Sequence, residues 1–380
     1  MCSQAEDCSC ALNSTTEKKK KKERISHCIK CHSPPAILIR KDDPALCKLC
    51  FINNCLHKIN TVFGKYKLSS KTSNNIAVGF SGGQHSSALL QMILKNNNNI
   101  HDGQTKRNKI ILPKIFHLIE PNDSQTNLEL ITKSMKATGF EYHMISRDEI
   151  SQNDKHENKL TSSLLSSKQR FDNYSRLNLL INCAKNLDCA YLILGECGNR
   201  IAVKYLLDII EGRGNQSSIQ TSFLDERYQD VTIIRPLRDF LTKELILFAH
   251  FMHLESITPN DPFTSIILKN PNINTLERLT QDFLASLQTG GFPSTTGTIL
   301  RTSSKIVLEN DSQVSCSFCH FPVCNTDSSN DPDKLATESM KYSSSLSNPN
   351  SFDEKTDPES IEKVLCPPCS LMFKELSICT

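Results

Sequence analysis

Apolar residues come in short blocks set between polar stretches, and the blocks alternate in character along the middle of the chain. Residues 75–80 (Asn-Ile-Ala-Val-Gly-Phe) form a brief strand-like run, and residues 87–95 read as a helix after the turn Ser81-Gly-Gly-Gln-His-Ser86. Residues 96–108, which open with four asparagines, predict a loop. A second strand is predicted over 110–120, and a helix over 127–137 with Leu128, Ile131 and Met135 on one face. A third strand, 141–146, precedes a polar insertion that runs to about Ser163. Then come a helix over 170–186, a buried-type strand over 190–195, and a helix over 201–210 that ends at Gly212-Arg-Gly214. A fifth strand over 232–237 and a helix over 242–254 complete the series. This alternation, with connections long enough for crossovers, predicts an α/β fold: a doubly wound parallel sheet with helices on both faces. Ligands of such sheets bind outside the carboxyl ends of the strands, where Ser81 and Gly195 both fall.

The flanks differ in texture. Residues 1–25 are polar with a lysine run, Lys18–Lys22, and predict a disordered basic tail; an arm that touches phosphate or a partner is the alternative. Residues 325–362 are rich in Ser, Asn, Asp and Lys and predict a disordered insertion. Only 38% of the residues are hydrophobic, below the ~45–50% typical of globular chains, which agrees with segments that never join a core. Forty-four Lys and Arg against 41 Asp and Glu leave +3, too little for a chain that coats nucleic acid along its whole length. No apolar run approaches the ~20 residues of a spanning helix, and the first residues lack the basic and apolar regions of an export signal. The expectation is a soluble, cytoplasmic chain without a membrane contact.

Seventeen cysteines change the picture through their placement. Five lie from Cys28 to Cys55 and five from Cys316 to Cys369, with only Cys183, Cys189 and Cys197 between the groups. Cys28-x2-Cys31-x15-Cys47-x2-Cys50 matches two zinc knuckles around one tetrahedral ion, a closed and therefore structural site. His27, His32 and Cys55 are possible substitutes, and redox chemistry is the minor alternative. Cys316-x2-Cys319 and Cys366-x2-Cys369 form a second such set, with His320 and Cys324 as spares. Most of its long gap is the insertion, and each doubling of a loop adds only ~0.6 kcal/mol of closure entropy. The two clusters read as analogous units. The expected organisation is a tail (1–25), an N-terminal zinc-binding module (26–70), the α/β domain (71–290) and a C-terminal zinc ribbon (291–380).

Ser81-Gly-Gly-Gln-His-Ser86 carries the sharpest chemical signal. A strand–SGG–helix junction presents backbone N–H groups at a helix N-terminus, where an anion is favoured. Gly82 and Gly83 allow a phosphate close to the backbone, and the hydroxyls of Ser81, Ser86 and Ser87 can add donors. An ordinary Gly-Gly turn is the bland alternative.

These residues resemble the pyrophosphate loop (SGGxDS) of the PP-loop ATP pyrophosphatases that thiolate tRNA, an adenine nucleotide alpha hydrolase-like fold. The strand Tyr191–Gly195, the turn Glu196–Arg200, Gly212-Arg-Gly214, and Arg235-Pro-Leu-Arg238 before Lys243 and Glu244 fit the same family. So do the cysteine knuckles at both ends, as in its eukaryotic cytosolic members. The resemblance covers roughly residues 26–380 outside the insertions. It is strongest to the degenerate subunit of the wobble-uridine thiolation complex.

Departures from the active pattern matter as much as the matches. His85 stands where active members have Asp, and it offers no anionic oxygen to a hard cation. The family CxxC before the helix near Arg170 is replaced by Thr161-Ser-Ser-Leu-Leu-Ser-Ser167, and the downstream cysteine is missing from 258–264. Oxygen side chains do not replace soft sulfur ligands. After the fourth strand only Glu196 remains of an acidic stretch; Cys197 reads as a buried structural thiol.

The resemblance therefore implies a non-catalytic subunit of a heterodimer that 2-thiolates U34 of the tRNAs for Lys, Glu and Gln. Its partner would be the related catalytic subunit, which adenylates with ATP, and sulfur would come from a thiocarboxylated ubiquitin-like carrier. This chain would pair with that subunit and grip tRNA through Lys18–Lys22, Arg200, Arg213 and Arg235, although each of these can equally be a solvated or locally paired charge. An active enzyme that tolerates His85 and uses Glu196 as its acid is the rival reading. A zinc-organised scaffold without nucleotide or tRNA is a third.

Overall fold

Short apolar runs, the central ones buried on both faces, assemble into a single sheet in a computed structural model. The structure describes residues 27–34, 37–39, 43–66, 76–101, 112–120, 123–146, 162–214, 216–258, 262–270, 272–306, 314–323 and 364–376. The tail with Lys18–Lys22, Cys324 and the 325–362 insertion lie outside those residues. The strands are β1 (Ile76–Gly79), β2 (Lys114–Ile119), β3 (Tyr142–Ser146), β4 (Tyr191–Leu194), β5 (Leu224–Asp225) and β6 (Thr232–Ile234). Their spatial order is β3-β2-β1-β4-β6-β5. All neighbours pair parallel except β5, which runs antiparallel to β6 at the edge. The expected parallel sheet is present, and β5, two residues long, is an addition no periodicity could announce.

The helices are α1 (Lys48–Lys65), α2 (Gln84–His101), α3 (Gln125–Lys136), α4 (Ser162–Asn186), α5 (Gly198–Ile210), α6 (Ser217–Thr221), α7 (Thr242–Phe251), α8 (Pro262–Lys269), α9 (Leu276–Thr289), α10 (Thr295–Ser303) and α11 (Pro367–Glu375). Alternation along the strands divides the core. Ala77, Phe116, Leu192 and Ile233 face α4 and pack with its Ile181 and Ala184. Val78, Ile115, Ile193 and Ile234 point to the opposite face and are likewise fully buried.

Two expectations about α2 and α4 needed correction. α2 runs through Asn96–Asn99 instead of ending in a loop, because Leu89, Met92, Ile93 and Asn96 keep one face buried; tertiary burial overrides the weak helix propensity of Asn. α4 begins eight residues before Arg170, since Leu165 is fully buried and Ser163 and Ser167 both donate to Glu375 of α11.

The chain forms two compact units, Met1–Cys50 and Phe51–Thr380. That division differs from boundaries at 70 and 290. Phe51, Leu56, Ile59 and Phe63 of α1 are buried, and Lys58 pairs with Glu244 at 3.2 Å, so these residues belong to the large unit. The C-terminal cysteines share a core with Tyr174 of α4 and are no separate domain. No helix among the described residues is long and apolar enough to cross a membrane.

Candidate functional site

The strand order reverses direction between β1 and β4, and the loops that leave these two strands flank one crevice. After β1 the chain turns through Gly82, whose φ of +74° suits glycine. A Cβ there would lie 2.8 Å from Ile131 and 2.9 Å from Ile257, so glycine also admits the hydrophobic support beneath the loop. The Ile257 N–H donates to the Gly82 carbonyl at 2.9 Å. Across the crevice, Gly195 lies directly against the first turn of α2: a Cβ on it would be 3.2 Å from Ser86 Cα.

The first turn of α2 keeps its capacity for an anion. Ser87 N–H donates to the Gly83 carbonyl at 3.0 Å, which leaves the N–H groups of Gln84, His85 and Ser86 ahead of the first intrahelical donor. The hydroxyls play a different part from the one expected. Ser86 Oγ donates to the Gly83 carbonyl at 3.0 Å and lies 3.2 Å from Ser81 Oγ, so these two tie the loop to itself. Ser87 is turned inward and buried with no partner for its hydroxyl among the described residues. Ser81, Gly82, Gly83 and the Ser86 backbone line the turn, whereas the Ser87 hydroxyl points away from it.

Two ionisable groups, His85 and Glu196, stand beside this loop. His85 occupies the position of a carboxylate, and burial followed by nearby Arg200 depresses its pKa to about 4, so the ring is neutral at pH 7. Glu196 is ionised but engaged: Arg235 Nε donates to it at 2.9 Å and Lys204 closes on its other oxygen. Burial pushes its pKa up, and Lys204 and Arg235 pull it down further, to about 2. Both oxygens of Glu196 are thus taken up by cations of this chain. Cys197 is fully buried, 3.3 Å from Thr242 Oγ1, and takes a structural place.

Of the three arginines expected on tRNA, only Arg200 is exposed. Arg235 is 1% exposed and bridges Glu196 and Asp225, the latter at 2.8 Å. Arg213 is 3% exposed and donates to Tyr174 Oη at 2.6 Å and toward Cys369 Sγ at 3.4 Å. Both are buried, which keeps them from a phosphate on the surface. Asp225 and Arg227, which the sequence did not single out, extend this network: Arg227 holds Asp225 through Nε and Nη2 at 2.8 and 2.7 Å. Burial raises the Asp225 pKa, but Arg227 and Arg235 hold it well below the usual carboxylate range.

Both cysteine sets converge. Cys28, Cys31, Cys47 and Cys50 form one group and Cys316, Cys319, Cys366 and Cys369 another, each with ligand atoms within 4.8 Å of one another. None is in a disulfide. Four sulfurs at ~2.3 Å from one ion sit about 3.8 Å apart, and the 3.4 Å Cys31–Cys47 and 3.5 Å Cys319–Cys366 separations suit a single ion. The two sets share a plan. In each, a knuckle turns through a histidine of φ +58° after its second cysteine, and the other pair stands at the start of a helix, α1 or α11. His32 and His320 are thus turn residues, their N–H groups donating to the Cys28 and Cys316 carbonyls at 2.8 and 2.9 Å. An open cavity of about 830 Å³ lies elsewhere, lined by Lys65, Tyr66, Phe223, Arg238 and His320 among others, with none of the loop residues.

Comparison with known proteins agrees with this geometry. The PP-loop domain profile matches residues 53–258, and that of cytoplasmic tRNA 2-thiolation protein 2 matches residues 275–371. The chain is similar to cytoplasmic tRNA 2-thiolation protein 2 of Danio rerio, 25% identical over 344 residues, covering 73% of this chain and 67% of that protein. The Aedes aegypti protein is 25% identical over 348 residues, with 85% and 73% covered. The Homo sapiens protein is 24% identical over 361 residues, with 75% and 68% covered. Among solved structures, the U34-tRNA thiolase NcsA from Methanococcus maripaludis, with its 4Fe-4S cluster, superposes with a TM-score of 0.56 at 19% identity. It covers 77% of this chain and 95% of its own, a likeness of fold. The chain belongs to the PP-loop family, and its residues 275–371 match the model of cytoplasmic tRNA 2-thiolation protein 2.

Proposed function

We propose that this chain is the non-catalytic subunit of a cytoplasmic heterodimer that 2-thiolates U34 of the tRNAs for Lys, Glu and Gln, giving 5-methoxycarbonylmethyl-2-thiouridine. The family supports tRNA 2-thiolation as the process. One observation carries the non-catalytic part. Glu196, the acid at the crevice, is neutralised by Arg235 and Lys204, and His85 replaces the carboxylate of the loop. The related partner subunit adenylates the uridine with ATP, and a thiocarboxylated ubiquitin-like carrier supplies sulfur.

In this reading the two four-cysteine groups each hold a structural zinc ion, and Arg200 supplies exposed charge for tRNA. Where active relatives carry the CxxC, Ser163 and Ser167 hold Glu375 and so fasten α11 to α4. The segment has exchanged sulfur chemistry for packing. Thiolated tRNA, measured with the partner subunit in the presence and absence of this chain, tests the proposal: thiolation requires both. Full thiolation by the partner alone contradicts it.

A further inference from the structure

The two cysteine sets share a plan but not an environment. All four C-terminal cysteines are buried, whereas Cys31 is exposed and Cys50 half-buried in the N-terminal set. Four thiolates on a divalent ion leave two net negative charges, and burying them without compensation is strongly unfavourable. The C-terminal set is compensated. Arg213, fixed by Tyr174 Oη, aims Nη2 at Cys369 Sγ from 3.4 Å. Arg227 donates to the Cys319 carbonyl at 3.3 Å and lies 4.0 Å above the Phe321 ring, on whose centroid Arg213 also closes to 5.6 Å. The described residues of the N-terminal unit contain no arginine.

We propose that Arg213 is a positioning residue for the C-terminal metal centre, where its guanidinium stabilises the Cys369 thiolate and locks the ion in place, while the N-terminal centre remains the exchangeable one. The proposal rests on the reading that both sets hold zinc. A charged donor on a ligating sulfur offsets the buried negative charge and opposes dissociation of that ligand. The 2.6 Å bond to Tyr174 keeps the guanidinium from swinging to solvent, so its charge is available at the sulfur without further ordering.

The test uses the full chain. Zinc content is measured first, and release to a chromophoric chelator is then followed while alkylated cysteines are mapped by mass spectrometry. Two equivalents are expected, one released at least tenfold faster, with Cys28–Cys50 alkylated before Cys316–Cys369. Arg213→Met is expected to bring the slow phase at least tenfold closer to the fast one, and Arg213→Lys to restore part of the gap. Replacing a group that hydrogen-bonds a metal ligand typically changes metal affinity by about 10–100-fold. Fewer than two zinc ions overturns the metal reading and this proposal with it. Two ions released together from the unsubstituted chain, or a slow phase unmoved in a folded Arg213→Met chain, overturns the proposal alone. The release order in the unsubstituted chain decides even if Arg213→Met fails to fold.

Discussion

Arg235 donates from Nε to Glu196 at 2.9 Å and from Nη2 to Asp225 at 2.8 Å, so one buried guanidinium joins the turn after β4 to the β5 edge. Residues that read as a tRNA grip and a spare catalytic acid are in fact each other's partners. The same pairing ties the turn after β4 to the sheet edge and, in the proposed function, keeps the acid out of the chemistry.

Arg235→Met removes one of two cationic partners from each of Glu196 and Asp225, leaving Lys204 on the first and Arg227 on the second. Stranding a buried charge outright typically costs about 3–5 kcal/mol; with those partners retained, a smaller but clear fall in the urea midpoint is expected. Arg235→Lys recovers little of the loss, because an ammonium cannot reproduce the two-sided fork. Equal stability of Arg235→Met and the unsubstituted chain contradicts the network.

Gly82→Ala places a Cβ 2.8 Å from Ile131 on a backbone at φ +74°. Left-handed strain and overpacking each cost on the order of 1–3 kcal/mol. A lower thermal midpoint is the expected readout, and an unchanged midpoint contradicts the strained turn.

Asp208 supplies a pH signature. Burial pushes its pKa up to about 7, outweighing the pull of Arg213. The unfolded chain ionises this group near pH 4 and the folded chain only near 7, so folding stability declines as pH rises through that window. Asp208→Asn removes this slope. Chemical denaturation of both chains from about pH 5.5 to 8 is expected to show a gap that widens with pH by a few kcal/mol and levels off above about 7. A constant gap contradicts the assignment.

Arg200 is exposed and lies close enough to His85 to act on its ring. In the assembled complex, Arg200→Ala is expected to weaken tRNA binding modestly and lower the log affinity–log salt slope by about one. An unchanged slope removes Arg200 from the tRNA contact.

Strands and cysteine clusters were legible because their signals are local. A parallel strand buried on both faces is a continuous apolar run, and a zinc knuckle is a fixed spacing. The arginines were not. Arg213 meets Cys369 across 156 positions and Arg235 meets Glu196 across 39, and nothing in a linear charge pattern distinguishes a buried guanidinium from a solvated one. Helices α8 to α10 follow the last strand without alternating elements to frame them, and β5 is too short to carry a period. His85 was legible as a substitution, but its neutral state follows from burial and Arg200, which only the fold brings together.

The most direct measurement is pyrophosphate release from ATP by this chain alone, with transfer RNA and magnesium supplied. No turnover above background is expected, and His85→Asp is expected to add none, because Glu196 stays clasped by Arg235 and Lys204. Sustained, tRNA-dependent release by the purified chain would contradict the account.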